Sequence, residues 1–310
     1  MSPSDIVELA LGGERRWLAR AITLIEYRVP GIGEAIAAAP VRRRTGPGAP
    51  HVVGLTGPPG SGKSTLVDRL IGHAREQGKR VAVVAVDPSS PFSGGAILGD
   101  RVRMERHSGD DDVFIRSLSS RGHLGGLSGA TAEVVDLMDA WGADLVLVET
   151  VGVGQSELGI MEVADTTIVV LTPESGDTVQ TMKAGLLEIA SVFVINKSDR
   201  PGSARLARDL ARSIELDADA SWVVPVHETS ALENTGMDAV VASTIEHLGW
   251  CRANGLPTWT RRRGDAAVRL YLDLFADRAR VAAQEAMSDS VEQQLRDGTL
   301  SPHAAAKDRS

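Results

Sequence analysis

Residues 52–65 read VVGLTGPPGSGKST. The apolar run Val52 to Thr56 leads directly into Gly57-Pro58-Pro59-Gly60-Ser61-Gly62-Lys63-Ser64-Thr65, which satisfies the phosphate-loop pattern G-x-x-x-x-G-K-[ST]. The spacing has a physical reason. Glycines let the backbone turn tightly and aim successive N–H groups at phosphate oxygens, and a helix starting near Lys63 points its positive end at the same anion. Lys63 can then reach the β and γ phosphates, and the Ser64 hydroxyl can take a place on Mg²⁺. A strand-like run before the loop and the amphipathic segment LVDRLIGHAREQG after it supply the required context. Lysine is scarce: of 33 basic residues only positions 63, 79, 183, 197 and 307 are lysine, and two of these fall in nucleotide motifs.

Around that loop the chain alternates short apolar runs with longer amphipathic ones. VVGLT, VAVVAV (81–86), DLVLVE (144–149), TTIVVL (166–171), VFVIN (192–196) and WVVPV (222–226) are rich in β-branched residues and largely unbroken by polar positions, as strands buried on both faces are. The pattern predicts an α/β fold: a doubly wound, mainly parallel sheet with helices on both sides and ligand chemistry at the carboxyl ends of the strands. Residues 5–39 have helical spacing with a break near Val29-Pro30-Gly31, and residues 40–50 form a Pro/Gly/Arg-rich linker. Beyond Cys251 the strands stop. Residues 265–296 read as helix, whose Val268, Leu270, Leu272, Leu274, Phe275 and Val281 either pack back or meet a second copy. The expected organisation is a helical extension over 1–45, a nucleotide-binding domain over 46–250 and a helical dimerisation arm over 251–310.

The formal charge of −8 and pI near 5.4 argue against nucleic acid as the main partner. Cys251 is the single cysteine, so no internal disulfide forms, and neither a Cys-x-x-Cys pair nor a histidine cluster stands ready for a transition metal. No apolar stretch approaches the roughly 20 residues of a membrane span. Asp5 and Glu8 make the first residues unlike a secretory signal or transit peptide, so a cytoplasmic protein is expected.

Three further motifs follow predicted strands. Asn196-Lys197-Ser198-Asp199 matches N-K-x-D, whose carboxylate can accept from the N1–H and exocyclic amine of guanine, a pairing adenine does not offer. Ser230-Ala231-Leu232 is the shorter motif whose backbone supports the base. Glu149-Thr150-Val151-Gly152 places a carboxylate at a strand end and a glycine N–H where a γ-phosphate can meet it. Asp87 and Asp100 supply further carboxylates for Mg²⁺, directly or through water. The candidate metal set is Ser64, Asp87, Asp100 and Glu149, and the catalytic candidates are Lys63, Asp87 and Gly152. The position after Gly152, where many GTPases carry a water-orienting glutamine, is Val153, with Gln155 two residues on. Slow intrinsic hydrolysis is expected unless a partner completes the site.

These motifs resemble the P-loop GTPases of the MeaB/ArgK type, chaperones of adenosylcobalamin-dependent methylmalonyl-CoA mutase. The likeness runs through GLTGPPGSGKSTL, AVDPSSPFSGGAILGDRVRM, FIRSLSSRGHLGGLS, ETVGVGQSE, PESGDTVQTMKAG, NKSD and TSAL. It implies phosphate binding by Gly57 to Thr65, guanine recognition by Asp199, and a Mg²⁺ neighbourhood of Ser64, Asp87, Asp100 and Glu149. It also implies three mobile segments, about 88–105, 150–160 and 174–186. In the last, Glu174, Asp177, Gln180 and Lys183 would respond to the mutase. A GTP-hydrolysing homodimer that gates cofactor loading and protects the mutase is the expectation. The alternatives are a metallochaperone GTPase and a kinase of the older ArgK description. Arg116, Arg121 and His123 stay open between a site role and structural pairing.

Overall fold

The computed structural model describes residues 1–41, 48–87, 104, 106–107, 109–119, 129–150, 156–175, 186–215, 222–254, 268, 271–272, 275–276 and 278–307. Ser2 opens the first helix, α1 (Pro3–Leu11), with a capping box: its Oγ accepts from the Asp5 N–H at 3.2 Å while the Asp5 carboxylate accepts from the Ser2 N–H at 2.8 Å. Helices α2 (Arg15–Glu26) and α3 (Ile32–Ala38) follow. The predicted helical stretch 5–39 therefore breaks twice. One break is at Gly31, in left-handed conformation; the other is at Gly12-Gly13, where Gly13 has φ 98°.

Strand β1 (His51–Thr56) runs into the phosphate loop and helix α4 (Lys63–Glu76). Then come β2 (Val81–Asp87), β3 (Val113–Ser119), α5 (Gly129–Ala140), β4 (Leu145–Thr150), α6 (Ser156–Val163) and β5 (Thr166–Leu171). After a single α-helical turn, Leu186–Ile189, follow β6 (Val192–Asn196), α7 (Ser203–Glu215), β7 (Val226–Thr229) and α8 (Met237–Ala253). The seven strands form one sheet in the order β3-β2-β4-β1-β5-β6-β7, every pairing parallel. From β1 the chain first builds one side of the sheet and then the other, so the crevice at the carboxyl end of β1 is where a doubly wound sheet binds ligands.

Alternation along the strands sorts the core into two faces. Val52, Val146 and Val148 face the side covered by α5 and by the N-terminal helices, whose Leu18, Ile22, Ile25 and Ile36 share one apolar cluster with them. Val53, Leu55 and Leu147 face the side covered by α4 and α8. Burying side chains such as Leu18, Ile22 and Ile25 stabilises the fold by about 1.5–3 kcal/mol each. The N-terminal helices are thus a layer of the core and belong to one compact unit, residues 1–263; α8 runs through the predicted 250/251 boundary. Polar contacts seat them: Arg15 Nη2 donates to the Val113 carbonyl at 2.7 Å, and Arg28 pairs with buried Glu133. Arg116 Nη2 donates to Thr23 Oγ1 at 3.1 Å and lies 3.5 Å from the Glu26 carboxylate, so among the described contacts this arginine serves the helix layer.

Two strands differ from expectation. β3 was not among the predicted runs, because an edge strand facing a helix layer carries Arg116 and Ser117 inside it. The run 222–226 enters the sheet only at Val226. Pro225 has no N–H to give a ladder, although its carbonyl accepts from the Phe193 N–H at 2.9 Å.

At the amino ends of the strands, away from the phosphate loop, His51 Nε2 lies 2.8 Å from Thr166 Oγ1, which lies 2.9 Å from His247 Nδ1. Burial pushes His51 down to about 4 against its ordinary 6.5, with Asp165 opposing the shift and His247 adding to it.

Residues 264–310 form a second unit. Ser288 ends the predicted 265–296 helix early by capping a new one, Asp289–Arg296, its Oγ accepting from the Val291 N–H at 3.4 Å. Val268, Tyr271, Leu272, Phe275 and Val281 are exposed, and the rings of Tyr271 and Phe275 stack with centroids 6.4 Å apart. No described helix is long and apolar enough to cross a membrane.

Candidate functional site

The phosphate loop owes its shape to three glycines with positive φ. At Gly57 (φ 135°) a Cβ would come 2.1 Å from the Val170 carbonyl oxygen of β5, so only glycine lets the chain cross its neighbouring strand there. At Gly62 (φ 90°) a Cβ would lie 2.3 Å from Asn196 Nδ2, whereas at Gly60 (φ 76°) it would meet nothing within 4 Å. Gly62 is the N-cap of α4, and the buried residues Lys63 and Ser64 form its first turn with Thr65. The loop thereby delivers N–H groups and a helix N-terminus to one place.

Lys63 Nζ donates to the carbonyls of Gly57 at 2.8 Å and Pro58 at 3.0 Å, which holds the cation over the loop. Ser61 Oγ is buried and has no hydrogen-bond partner among the described residues. Ser64 Oγ donates to Glu149 Oε1 at 2.8 Å, bringing the carboxyl end of β4 against the first turn of α4. Thr150 Oγ1 fixes that strand end to β1 through the Leu55 carbonyl at 3.3 Å and Thr56 Oγ1 at 3.1 Å. A hydroxyl and a carboxylate, hard oxygen donors both buried, suit a magnesium ion rather than a soft metal. Asp87 is the last residue of β2, beside β4, in register with Ser119 of β3. Asp100 and Gly152 lie outside the described residues, as do Val153, Gln155, Asp177, Gln180, Lys183, Arg121 and His123.

Asn196 is the hub of the opposite wall. Its Nδ2 donates to the Ser61 carbonyl at 2.8 Å, while its Oδ1 accepts from the Ala231 N–H at 3.0 Å and from Thr229 Oγ1 at 3.3 Å. Lys197, held at φ 60° where side chains other than glycine are uncommon, donates from Nζ to the Gly60 carbonyl at 2.7 Å. Asp199 is exposed, which leaves its carboxylate open to a ligand. Next to it Arg200 pairs with Glu174 at 2.5 Å, and that hydrogen bond above all lowers Glu174 to about 2. Ser230 and Ala231 are buried while the Leu232 side chain is exposed, so Leu232 contributes through its backbone.

Sequence reasoning missed one participant. Arg69 on α4 donates from Nε to the Ala231 carbonyl and from Nη2 to the Leu232 carbonyl, both at 2.7 Å. No sequence pattern says which carbonyls an arginine will meet.

A family model described as "Methylmalonyl Co-A mutase-associated GTPase MeaB" matches residues 18–288. A candidate GTPase of Pyrococcus abyssi is 41% identical over 97% of this chain and 94% of its own length. The GTPase ArgK of Escherichia coli is 34% identical over 95% of this chain and 92% of its own. A solved structure of a LAO/AO transport system kinase superposes with a TM-score of 0.67 at 28% identity, covering 99% of this chain and 95% of that one. Asn196 joins the 57–65 loop to the loop that carries Ser230 to Leu232, and the family match spans both: the chain is a GTP hydrolase and belongs to the MeaB family of methylmalonyl-CoA mutase-associated GTPases.

Proposed function

We propose that GTP hydrolysis by this chain serves an adenosylcobalamin-dependent methylmalonyl-CoA mutase, gating its cofactor loading and protecting it from inactivation. The observation that carries the nucleotide half is the Asn196 hub, which joins Ser61 of the phosphate loop to Ala231 of the base loop. The mutase half rests on the family to which the chain belongs. The protein acts in the cytoplasm as a homodimer, and the exposed Tyr271, Leu272 and Phe275 favour an arm that meets a second copy.

In this reading Gly57, Pro58, Pro59, Gly60, Ser61, Gly62, Lys63, Ser64 and Thr65 wrap the phosphates. The buried Ser61 hydroxyl has a phosphate oxygen within its means as a partner. Asp199 accepts from the guanine edge, with Asn196, Lys197 and the Ser230-Ala231-Leu232 backbone holding the base loop in place. Lys63 exchanges the carbonyls of Gly57 and Pro58 for phosphate oxygens and offsets the charge that develops as water attacks. The Gly152 N–H meets the γ-phosphate. Ser64 and Glu149, joined by Asp87 and Asp100 directly or through water, hold Mg²⁺, which when bound neutralises the β and γ oxygens. Glu149 also serves as acceptor for the Ser64 hydroxyl, orienting its lone pairs.

The test is phosphate release from GTP and from ATP, with and without the mutase of the same organism, and with Mg²⁺ or EDTA. Slow, Mg²⁺-dependent, GTP-only turnover that rises with the mutase is expected. Turnover indifferent to the mutase sinks the chaperone role, comparable ATP turnover sinks the assignment of Asp199, and phosphate appearing on an acceptor would make the protein a kinase.

A further inference from the structure

We infer that Arg69 is a positioning residue for guanine recognition, acting through the base loop rather than on the nucleotide itself. It sits on α4, six residues after Lys63, on the helix that the phosphate loop opens. Its guanidinium spans two successive carbonyls, of Ala231 and Leu232, each at 2.7 Å. A planar fork of this kind fixes orientation as well as distance, which a point charge does not.

The consequence follows from peptide geometry. In a trans peptide the N–H points opposite to the C=O. With both carbonyls turned toward Arg69, the N–H groups of Leu232 and Glu233 are turned away from it, and neither is bonded to another described backbone group outside helices and strands. Peptides locked this way offer donors, and withhold acceptors, on the side away from Arg69. A keto oxygen on a purine, as in guanine, is matched by donors; the exocyclic amine adenine carries at that place is not. Arg69 also closes a ring of contacts: from Ser61 to Asn196, from Asn196 to Ala231, from Ala231 to Arg69, and down α4 to the loop. Base loop and phosphate loop are thereby clamped together on the α4 side as well as through Asn196.

This deepens the assignment of guanine recognition to Asp199 and the 230–232 loop and rests on it. The full chain carrying Arg69→Ala or Arg69→Lys is compared with the wild type for affinity toward GDP, ADP and inorganic tripolyphosphate, with thermal melting as a check on folding. Losing two hydrogen bonds predicts GDP affinity about tenfold weaker in Arg69→Ala. Tripolyphosphate, which has no base to place, changes less than about twofold, and Arg69→Lys, able to reach one carbonyl, recovers part of the loss. If Arg69→Ala does not fold, the lysine variant is read alone, and it must weaken GDP more than tripolyphosphate. Equal losses for GDP and tripolyphosphate would make Arg69 a plain helix support and overturn the inference, as would unchanged GDP affinity. Wild-type protein that binds ADP as well as GDP would sink the guanine assignment, and this proposal with it. That failure is distinguishable because it is seen before any substitution is made.

Discussion

Gly60→Ala and Gly62→Ala add the same methyl group two residues apart in one loop, and the fold should respond to them very differently. Both glycines have positive φ, 76° and 90°, so each alanine carries a backbone cost of about 1–2 kcal/mol. At Gly60 nothing lies within 4 Å of the new Cβ, and the cost ends there. At Gly62 the Cβ would stand 2.3 Å from Asn196 Nδ2, well inside contact distance, so the amide must leave. It takes with it the bond to the Ser61 carbonyl and disturbs those from the Ala231 N–H and Thr229 Oγ1, all buried. Two such losses at about 1 kcal/mol each bring the total for Gly62→Ala to about 3–4 kcal/mol, roughly 2 kcal/mol beyond Gly60→Ala. Urea unfolding of the nucleotide-free protein at pH 7 reads the difference as a lower midpoint at unchanged slope. Unfolding free energies for the two variants that agree within about 0.5 kcal/mol would refute the reasoning, because strain alone would then explain both.

Acid should weaken the fold through His51. Its folded value of about 4 lies below the ordinary 6.5, so the stability it contributes is present above pH 6.5 and is lost as pH falls toward 4, amounting at most to about 3 kcal/mol. His51→Gln removes that limb, and urea midpoints at pH 7 and 4.5 that fall by the same amount in variant and wild type would contradict it. Asp199→Ala should cost GTP about 100-fold in affinity, from two charge-assisted hydrogen bonds, with the melting temperature unchanged since the side chain is exposed; nucleotide titration checks it, and a loss under about threefold counts against the assignment. Arg116→Leu should destabilise the fold by about 1–2 kcal/mol by removing the donor to Thr23 Oγ1 and the ion pair with Glu26, while GTP affinity stays within about twofold. A large loss of affinity with an intact fold would return Arg116 to the site.

Much of the sheet was legible because its strands are buried on both faces, and such strands announce themselves as unbroken runs like VAVVAV and TTIVVL. β3 was not, since it is an edge strand whose run is interrupted by Ser117 and by Arg116, which reaches Thr23 of α2. Pro225 stood in plain view inside WVVPV, and weighing its missing N–H would have moved that strand to its observed start at Val226. The G-x-x-x-x-G-K-S and N-K-x-D patterns stand in the sequence at recognisable spacings, and the structure brings the two together through Asn196. What spacing does not carry is who holds the motifs in place. Asn196 as the hub, Arg69 as the second clamp, and the N-terminal helices as a layer of the sheet's own core all depend on pairings between residues far apart in the chain.

Those three helices also set an order of events during synthesis. They are made before the sheet, yet the apolar cluster that holds Leu18, Ile22 and Ile25 is completed by residues as late as Val146, Val148 and Val163. Roughly 125 residues beyond Ala38 must leave the ribosome before that cluster is complete, which at about 5–20 residues per second is on the order of ten seconds. For that interval a nascent chain displays a sticky amphipathic surface with no sheet to rest on. That face is the part of the growing chain a chaperone would bind, well before the base loop has been made to meet the phosphate loop.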